Sequence, residues 1–404
     1  MKYFLVILNL LFCSSGTYAE QISSYENQLL QSIQFMQQGD HGQAMSLTRS
    51  ILDEFPNSKL GQMLYADLLL AKTQPLSSVG SGLQSKANRQ NFLLELKQRL
   101  SHQQSPALQG FIPDNILFLA DRHSHAIVVD LEQSRIYVYK NQAGKPVLQT
   151  SYFSTIGLRG IGKNKRGDQK TPIGVYHVTR YIDDKELPDL YGSGAFPINY
   201  PNIWDKRKKR TGDGIWLHGT PSYTYNRAPL ASNGCIVVSN LDFEDIDLFI
   251  QAENQTPVLV VDHINWLSPE SWRQQRNEMK QVFSNWIIDW ESLEFDRFKR
   301  HYSEKNYQAH GRNYKNWVRY QRKINSKKTY INVEYENLNM FRYPGEKDLI
   351  LMQFDQFYQS NNLKINLAKQ LFWMKSGSEG NISWKIVYEG RRDNGIEKIT
   401  QARK

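Results

Sequence analysis

The sequence predicts a multidomain protein with a helical N-terminal region, a β-rich middle domain and an α+β C-terminal domain. Three observations carry that expectation. Up to about residue 104, apolar residues recur every three or four positions, as on amphipathic helices. From about residue 111, short Val- and Ile-rich runs alternate with turn residues. From about residue 268, a Trp-rich helical stretch gives way to long strand-like runs. A length of 404 residues has room for two or three domains.

The first element is a leader. Lys2 precedes an apolar run from Tyr3 to Phe12, and small or polar residues follow, ending Thr17-Tyr18-Ala19. A charged start, a short apolar core and a small-x-small site define a signal peptide over residues 1–19. The run is too short to span a bilayer. Phe12 is bulky where a lipidation motif at Cys13 needs a small residue. Cleavage after Ala19 predicts an exported, periplasmic chain whose sole thiol is Cys235. Oxidising compartments pair or discard thiols, so an unpaired one is a candidate nucleophile. The bland alternative is a small buried core residue.

The mature chain should be soluble. It is 40% hydrophobic and 22% charged, and no later apolar run approaches membrane-spanning length. Its net charge of +10 suits nucleic acid, an anionic membrane or an acidic polymer. Export argues against nucleic acid and leaves the bacterial wall, whose stem peptides carry carboxylates.

Residues 20–105 read as helices. Gln37-Gln38-Gly39-Asp40 and Pro56-Asn57-Ser58 break the periodicity, and residues 72–90, rich in Ser, Gly and Gln, read as a loop. The segment from Gly39 to Asn57 resembles one tetratricopeptide unit. Its functional reading is a protein-partner or homodimer surface; the alternative is a helical cap on the next domain.

The middle domain is expected over residues 111–265. Ala126–Leu131 and Arg135–Tyr139 flank Glu132-Gln133-Ser134 as a hairpin, Asn141–Gly144 is the next turn, and Pro146–Phe153 the next strand. Gly174–Val178 and Thr256–Val261 add strands. Without regular βαβ alternation, the sheet should be mixed or antiparallel.

The C-terminal domain is expected over residues 268–404. Pro269–Trp290 reads as a long helix and Phe295–Tyr302 as a shorter one. Tyr330–Tyr335, Asp348–Tyr358, Asn362–Met374 and Asn381–Tyr388 read as strands. This order, with Trp290-Glu291-Ser292 and His301-Tyr302-Ser303, resembles the NTF2-like cone fold.

Chemistry concentrates in the middle domain. Ile215-Trp216-Leu217-His218-Gly219-Thr220 precedes Ser232-Asn233-Gly234-Cys235-Ile236-Val237-Val238 by a gap of roughly fifteen residues. A thiol nucleophile needs a base and a backbone tight enough to aim the sulfur. The two apolar runs read as buried strands holding both groups. Arg227 lies between the segments and is the candidate to grip a substrate carboxylate; a solvated arginine is the alternative. Tyr200, Tyr223 and Tyr225 are candidate groove walls. Lys206–Arg210 reads as a solvated loop, otherwise as an attractor of the anionic wall.

His-Gly followed by Ser-x-Gly-Cys, apolar residues and Asn240 resembles the L,D-transpeptidase catalytic (YkuD) domain. Thr171-Pro172-Ile173-Gly174-Val175-Tyr176 and Ser154-Thr155-Ile156-Gly157 resemble two upstream segments of the same family. The resemblance spans about residues 124 to 262. It implies a cysteine enzyme of peptidoglycan that attacks the bond between diaminopimelate and the terminal D-alanine of tetrapeptide stems. Cys235 is then the nucleophile and His218 the base, oriented by a backbone carbonyl such as that of Gly234. The amides of Gly234 and Cys235 would hold the oxyanion. Gly219, Ser232 and Asn233 would line the substrate site. Asn233 and Val237 depart from the histidine and arginine common there. Some three-domain members with such departures are cell-shape L,D-carboxypeptidases, so cross-linking and trimming both stay open, as does a non-catalytic wall-binding scaffold.

No cofactor or metal is expected. Gly160-Ile161-Gly162-Lys163-Asn164 lacks the Ser or Thr of a phosphate loop. His123-Ser124-His125 lacks a third ligand. Tyr314–Lys323 reads as domain surface more readily than as a platform for stacking bases.

Overall fold

The computed structural model describes residues 24–75, 79–80, 86–377, 383–392 and 398–400. The expected leader, with Cys13, lies outside them.

The N-terminal region is helical: α1 (Ser24–Gln37), α2 (His41–Glu54), α3 (Lys59–Ala71) and α4 (Lys86–His102). Asp40 and Ser58 cap α2 and α3 by accepting from the amides of Gln43 and Gly61. Such a cap contributes about 1 kcal/mol. Tyr25, Leu29, Ile51, Leu60, Met63 and Leu96 are among the buried side chains of this core. The loop expected over 72–90 ends sooner, because α4 already starts at Lys86. Lys86, Ala87, Arg89 and Gln90 are good helix formers, and the Ser and Gly before them masked that start.

The middle domain follows as β1 (Ile112–Pro113), β2 (Ile116–Phe118), β3 (His125–Asp130), β4 (Arg135–Gln142), β5 (Lys145–Phe153), β6 (Ile156–Gly157) and β7 (Gly174–His177). Then come β8 (Ile182–Asp183), β9 (Gly194–Pro197), α5 (Ile203–Arg207), β10 (Trp216–His218), β11 (Leu230–Ser232), β12 (Ile236–Val237), α6 (Asn240–Asp247), β13 (Pro257–Val261) and β14 (Trp266–Leu267). The main sheet runs β5-β4-β3-β13-β7 and is mixed, since β13 lies parallel to β3 and antiparallel to β7. A second sheet, β12-β10-β9-β8, carries the His218 and Cys235 segments. Ile127, Val129, Phe196, Leu217, Ile236 and Val260 bury together in one core that includes residues of both sheets.

The C-terminal domain comprises α7 (Pro269–Glu291), α8 (Phe295–Phe298), β15 (Gln308–Ala309), β16 (Arg312–Asn313), α9 (Tyr314–Asn325), β17 (Ile331–Arg342), β18 (Leu349–Ser360), β19 (Leu363–Ser376), β20 (Ser383–Arg391) and β21 (Lys398–Thr400). Its long strands pair antiparallel, and the helices pack on one face. The interior of the cone is filled. Glu389 accepts from Tyr307 Oη (3.0 Å), Trp317 Nε1 (3.2 Å), Tyr302 Oη (3.3 Å) and Lys369 Nζ (3.3 Å). Burial pushes this carboxyl up, but Lys369 and the donors outweigh it and hold Glu389 below its ordinary range.

Three features tie the domains together. β2 leaves the middle domain and pairs with β17, departing from the boundary expected at residue 111. Glu26 on α1 accepts from Arg135 on β4 at 2.7 Å, and Arg99 on α4 lies 3.5 Å from Glu26. The basic run is solvated only in part: Lys206, Lys208 and Lys209 are exposed, while some of its side chains are tied down. Arg207 donates to the carbonyls of Gln308 (2.6 Å) and Asn306 (3.0 Å), and Lys208 pairs with Glu346 at 3.0 Å. Arg210 pairs with Asp205 at 3.0 Å.

Candidate active site

β10 and β12 run parallel, with Leu217 opposite Ile236 and His218 opposite Val237. Alternation along the strands then sorts the side chains. Leu217 and Ile236 enter the core. Trp216, His218 and Cys235 fall on the other face, so thiol and imidazole are diagonal neighbours. Each buried aliphatic anchor contributes about 1.5–3 kcal/mol, which makes this a rigid mount.

Backbone geometry aims the sulfur. Gly234 has φ +118°, and a Cβ there would meet the Lys170 carbonyl at 2.7 Å. Ser232 Oγ donates to the Cys235 carbonyl (2.6 Å) and accepts from the Gly234 amide (3.1 Å). Thr171 Oγ1 donates to the Gly234 carbonyl at 3.1 Å. The Gly234 carbonyl is not the group that orients the imidazole. The carbonyl of Gly219 is, at 2.7 Å from His218 Nδ1. A carbonyl only accepts, so Nδ1 carries the proton and the lone pair of Nε2 is left as the base. The Gly234 amide is likewise spoken for, which leaves the Cys235 amide as the better oxyanion donor of the two.

The resting pair is neutral. Burial pushes the Cys235 thiol up, against the Trp216 amide, Lys163 and Arg227, which favour thiolate. Burial pushes His218 down to about 4; the Gly219 carbonyl opposes this and Arg227 adds to it. The thiol donates to the Gly214 carbonyl at 3.4 Å rather than to the imidazole. Such contacts commonly tighten only when substrate binds.

Arg227 lies near enough to bear electrostatically on both His218 and Cys235. Its guanidinium also donates to the Ala231 carbonyl. Asn233 accepts from Gln169 at 3.1 Å on the exposed side of the cysteine loop. The three tyrosines do not wall a groove at Cys235. Tyr200 is buried and donates to the Thr211 carbonyl at 3.1 Å. Tyr223 is exposed and faces Lys59 on α3. Tyr225 packs between Tyr25 and Phe55 of the helical region, at 4.3 and 4.7 Å.

Other residues occupy the site instead. Tyr191 lies edge-on to His218 at 5.0 Å and beside Trp216 at 4.7 Å. Lys163, from the glycine-rich loop, pairs with Asp168 at 2.8 Å and bears electrostatically on the sulfur. Asn240 Oδ1 accepts from the amides of Thr220 (2.9 Å) and Ser193 (3.2 Å), tying the histidine turn to the Tyr191 segment. A Cβ on Gly219 would strike that oxygen at 2.2 Å. Asn240 belongs to the quoted motif; nothing in the sequence marks Tyr191. Among the described residues, no group of His, Cys, Asp or Glu could hold a metal ion.

Residues 124–260 match the family model of the L,D-transpeptidase catalytic domain, YkuD. The chain carries a YkuD domain. That match places residues 124–260 in a family of enzymes that act on peptidoglycan. Residues 278–390 match the Cds6 C-terminal NTF2-like domain, in agreement with the filled cone following the YkuD domain. The structure of Bd1075 from Bdellovibrio bacteriovorus is similar at a TM-score of 0.60 and 29% identity, over 70% of this chain and 98% of that one. The helical cell shape determining protein Pgp2 from Campylobacter jejuni shares the fold, at a TM-score of 0.57 and 22% identity over 69% of this chain and 96% of its own. No curated protein matches the chain significantly. No helix among the described residues is long and apolar enough to cross a membrane.

Proposed function

We propose that this protein is a periplasmic L,D-transpeptidase-type enzyme working through a Cys235 acyl-enzyme. The observation that supports it best is the tautomer fixed on His218, which leaves Nε2 free on the face shared with the sulfur. In the proposed reaction, Nε2 takes the thiol proton as Sγ attacks the carbonyl carbon of the L-centre of diaminopimelate. The Cys235 amide receives the developing oxyanion. Collapse breaks the amide bond, and Nε2 passes the proton to the departing D-alanine amine. The thioester then yields to a neighbouring stem's amine, making a cross-link, or to water, making a tripeptide. Arg227 would hold a non-reacting stem carboxylate.

Hydrolysis is the second reading, and Val237 favours it. This buried residue stands where many family members have arginine, so that position offers no cation to a second stem. Incubating the mature chain with tetrapeptide monomer and resolving products by mass spectrometry tests both readings. New dimers joined between diaminopimelates mean transfer; tripeptide and free D-alanine alone mean hydrolysis. Cys235→Ser and His218→Ala should each abolish either product while the fold persists, since a serine hydroxyl is far less acidic than a thiol. Normal turnover in either variant removes this site from the proposal.

A further inference from the structure

The aromatic-basic stretch at Tyr314–Lys323 is a sequence feature that the active site leaves unused. Residues 297–328 hold eleven Lys and Arg against one carboxylate, Glu304. That excess of ten equals the net charge of the whole chain, so all remaining residues together are balanced. α9 sorts these charges. Trp317 and Asn325 are buried on one side. Lys315, Arg319, Arg322 and Lys323 are exposed and fall within a stripe about 100° wide on the other, at 3.6 residues per turn. Among the described residues, Lys315, Arg319 and Lys323 have no carboxylate partner, and Arg322 reaches only Asp296, at 3.8 Å. Clustered like charges repel one another, and a polyanion relieves that repulsion.

The stripe connects to the cysteine through the chain itself. The β15–β16 hairpin leads directly into α9 and is gripped by Arg207, through the carbonyls of Gln308 and Asn306. Beside Arg207, Lys206, Lys208 and Lys209 are exposed. The same segment continues to Gly214, whose carbonyl accepts the Cys235 thiol proton. Exposed Lys165 and Arg166 flank it, held there by the Thr211 amide donating to the Asn164 carbonyl at 3.0 Å, with Arg166 3.8 Å from the exposed Asp213.

We propose that α9, residues 206–209 and residues 165–166 form a continuous basic track that binds the carboxylate-bearing wall polymer and leads it to Cys235. The inference rests on the peptidoglycan reading above. A bilayer-binding helix would turn its large apolar side chains outward. Here Trp317 points inward, the exposed Tyr320 lies outside the stripe beneath Arg312, and the stripe itself is purely cationic, which fits a hydrated polyanion.

Co-sedimentation of the mature chain with purified insoluble sacculi tests the track. The wild-type chain should be retained at low salt and released as salt rises, because exposed charges are screened within about 8 Å at physiological ionic strength. The quadruple variant Lys315→Gln, Arg319→Gln, Arg322→Gln, Lys323→Gln should lose retention by about tenfold, as should Lys206→Gln with Lys209→Gln. Thermal melting and turnover of soluble tetrapeptide monomer should stay unchanged in both. Arg319→Lys with Arg322→Lys should bind normally, since charge alone is required. Cys235→Ala should also bind normally, so a failure of the proposed chemistry would leave the binding result intact. Unaltered retention of both glutamine variants on sacculi would overturn the track. So would a loss seen only with vesicles of anionic phospholipid.

Discussion

His218 and Cys235 rest as imidazole and thiol, not as an ion pair. In the proposed mechanism the proton moves only when substrate arrives, and this sets a pH signature. Because burial holds His218 at about 4, the imidazole stays neutral and competent down to that region. kcat/KM on tetrapeptide monomer should therefore persist through pH 5–6 and fall only as His218 protonates near pH 4. At the other end, burial raises the thiol. Alkylation of Cys235 by iodoacetamide should be slow at pH 7 and still climbing above pH 9. A rate that levels off below pH 7 would mean a preformed thiolate. At this scale the sequence singled out Cys235 and His218 as the proposed reactive pair, each beside a glycine in one family-like motif. It was not legible for their partners. Any nearby carbonyl could have oriented His218, and only the fold selects that of Gly219 over that of Gly234. Tyr191 reaches the site from a separate turn, which no local spacing records.

Among elements, the segment leaving β10 is held from outside its own domain. Tyr225 is packed by Tyr25 and Phe55, its amide donates to the Asn57 carbonyl at 3.2 Å, and Asn57 Nδ2 donates to the Ser222 carbonyl at 3.1 Å. Asn226 donates to Glu95 on α4. The next residue is Arg227. Tyr225→Ala should lower stability by about 3 kcal/mol, while Tyr225→Phe, losing only a hydroxyl, should cost about 1 kcal/mol. Denaturant midpoints check both. If the clamp also places Arg227, Tyr225→Ala should raise KM for tetrapeptide more than it lowers kcat. The helices themselves were readable from their periodicity. Their grip on this loop was not, because Tyr225 resembles any loop tyrosine until α1 and α2 are set against it. α9 escaped for a related reason: its buried face rests on few residues, Trp317 foremost, although charged and apolar residues segregate sharply around it.

At the scale of the whole molecule, the three units are interleaved rather than strung. Ile116 and Phe118 of β2 pair with Phe341 and Met340 of β17, and Trp272 Nε1 on α7 donates to the Ile116 carbonyl at 2.7 Å. A fragment ending near residue 265 should thus expose β2 as an unpaired apolar edge, and it should aggregate on size-exclusion chromatography where the full mature chain does not. Composition and order of elements revealed the three units. They could not reveal that one strand is lent across more than two hundred positions, since pairing at such separation leaves no local mark.

That lent strand also bears on timing. Polypeptides emerge from the amino end, so β2 and then the cysteine are made well before the strand that receives β2. A partly made chain would hold Cys235 yet lack the strand that pairs with β2. Completion of the last domain, and not appearance of Cys235, becomes the moment at which a fully braced molecule first exists.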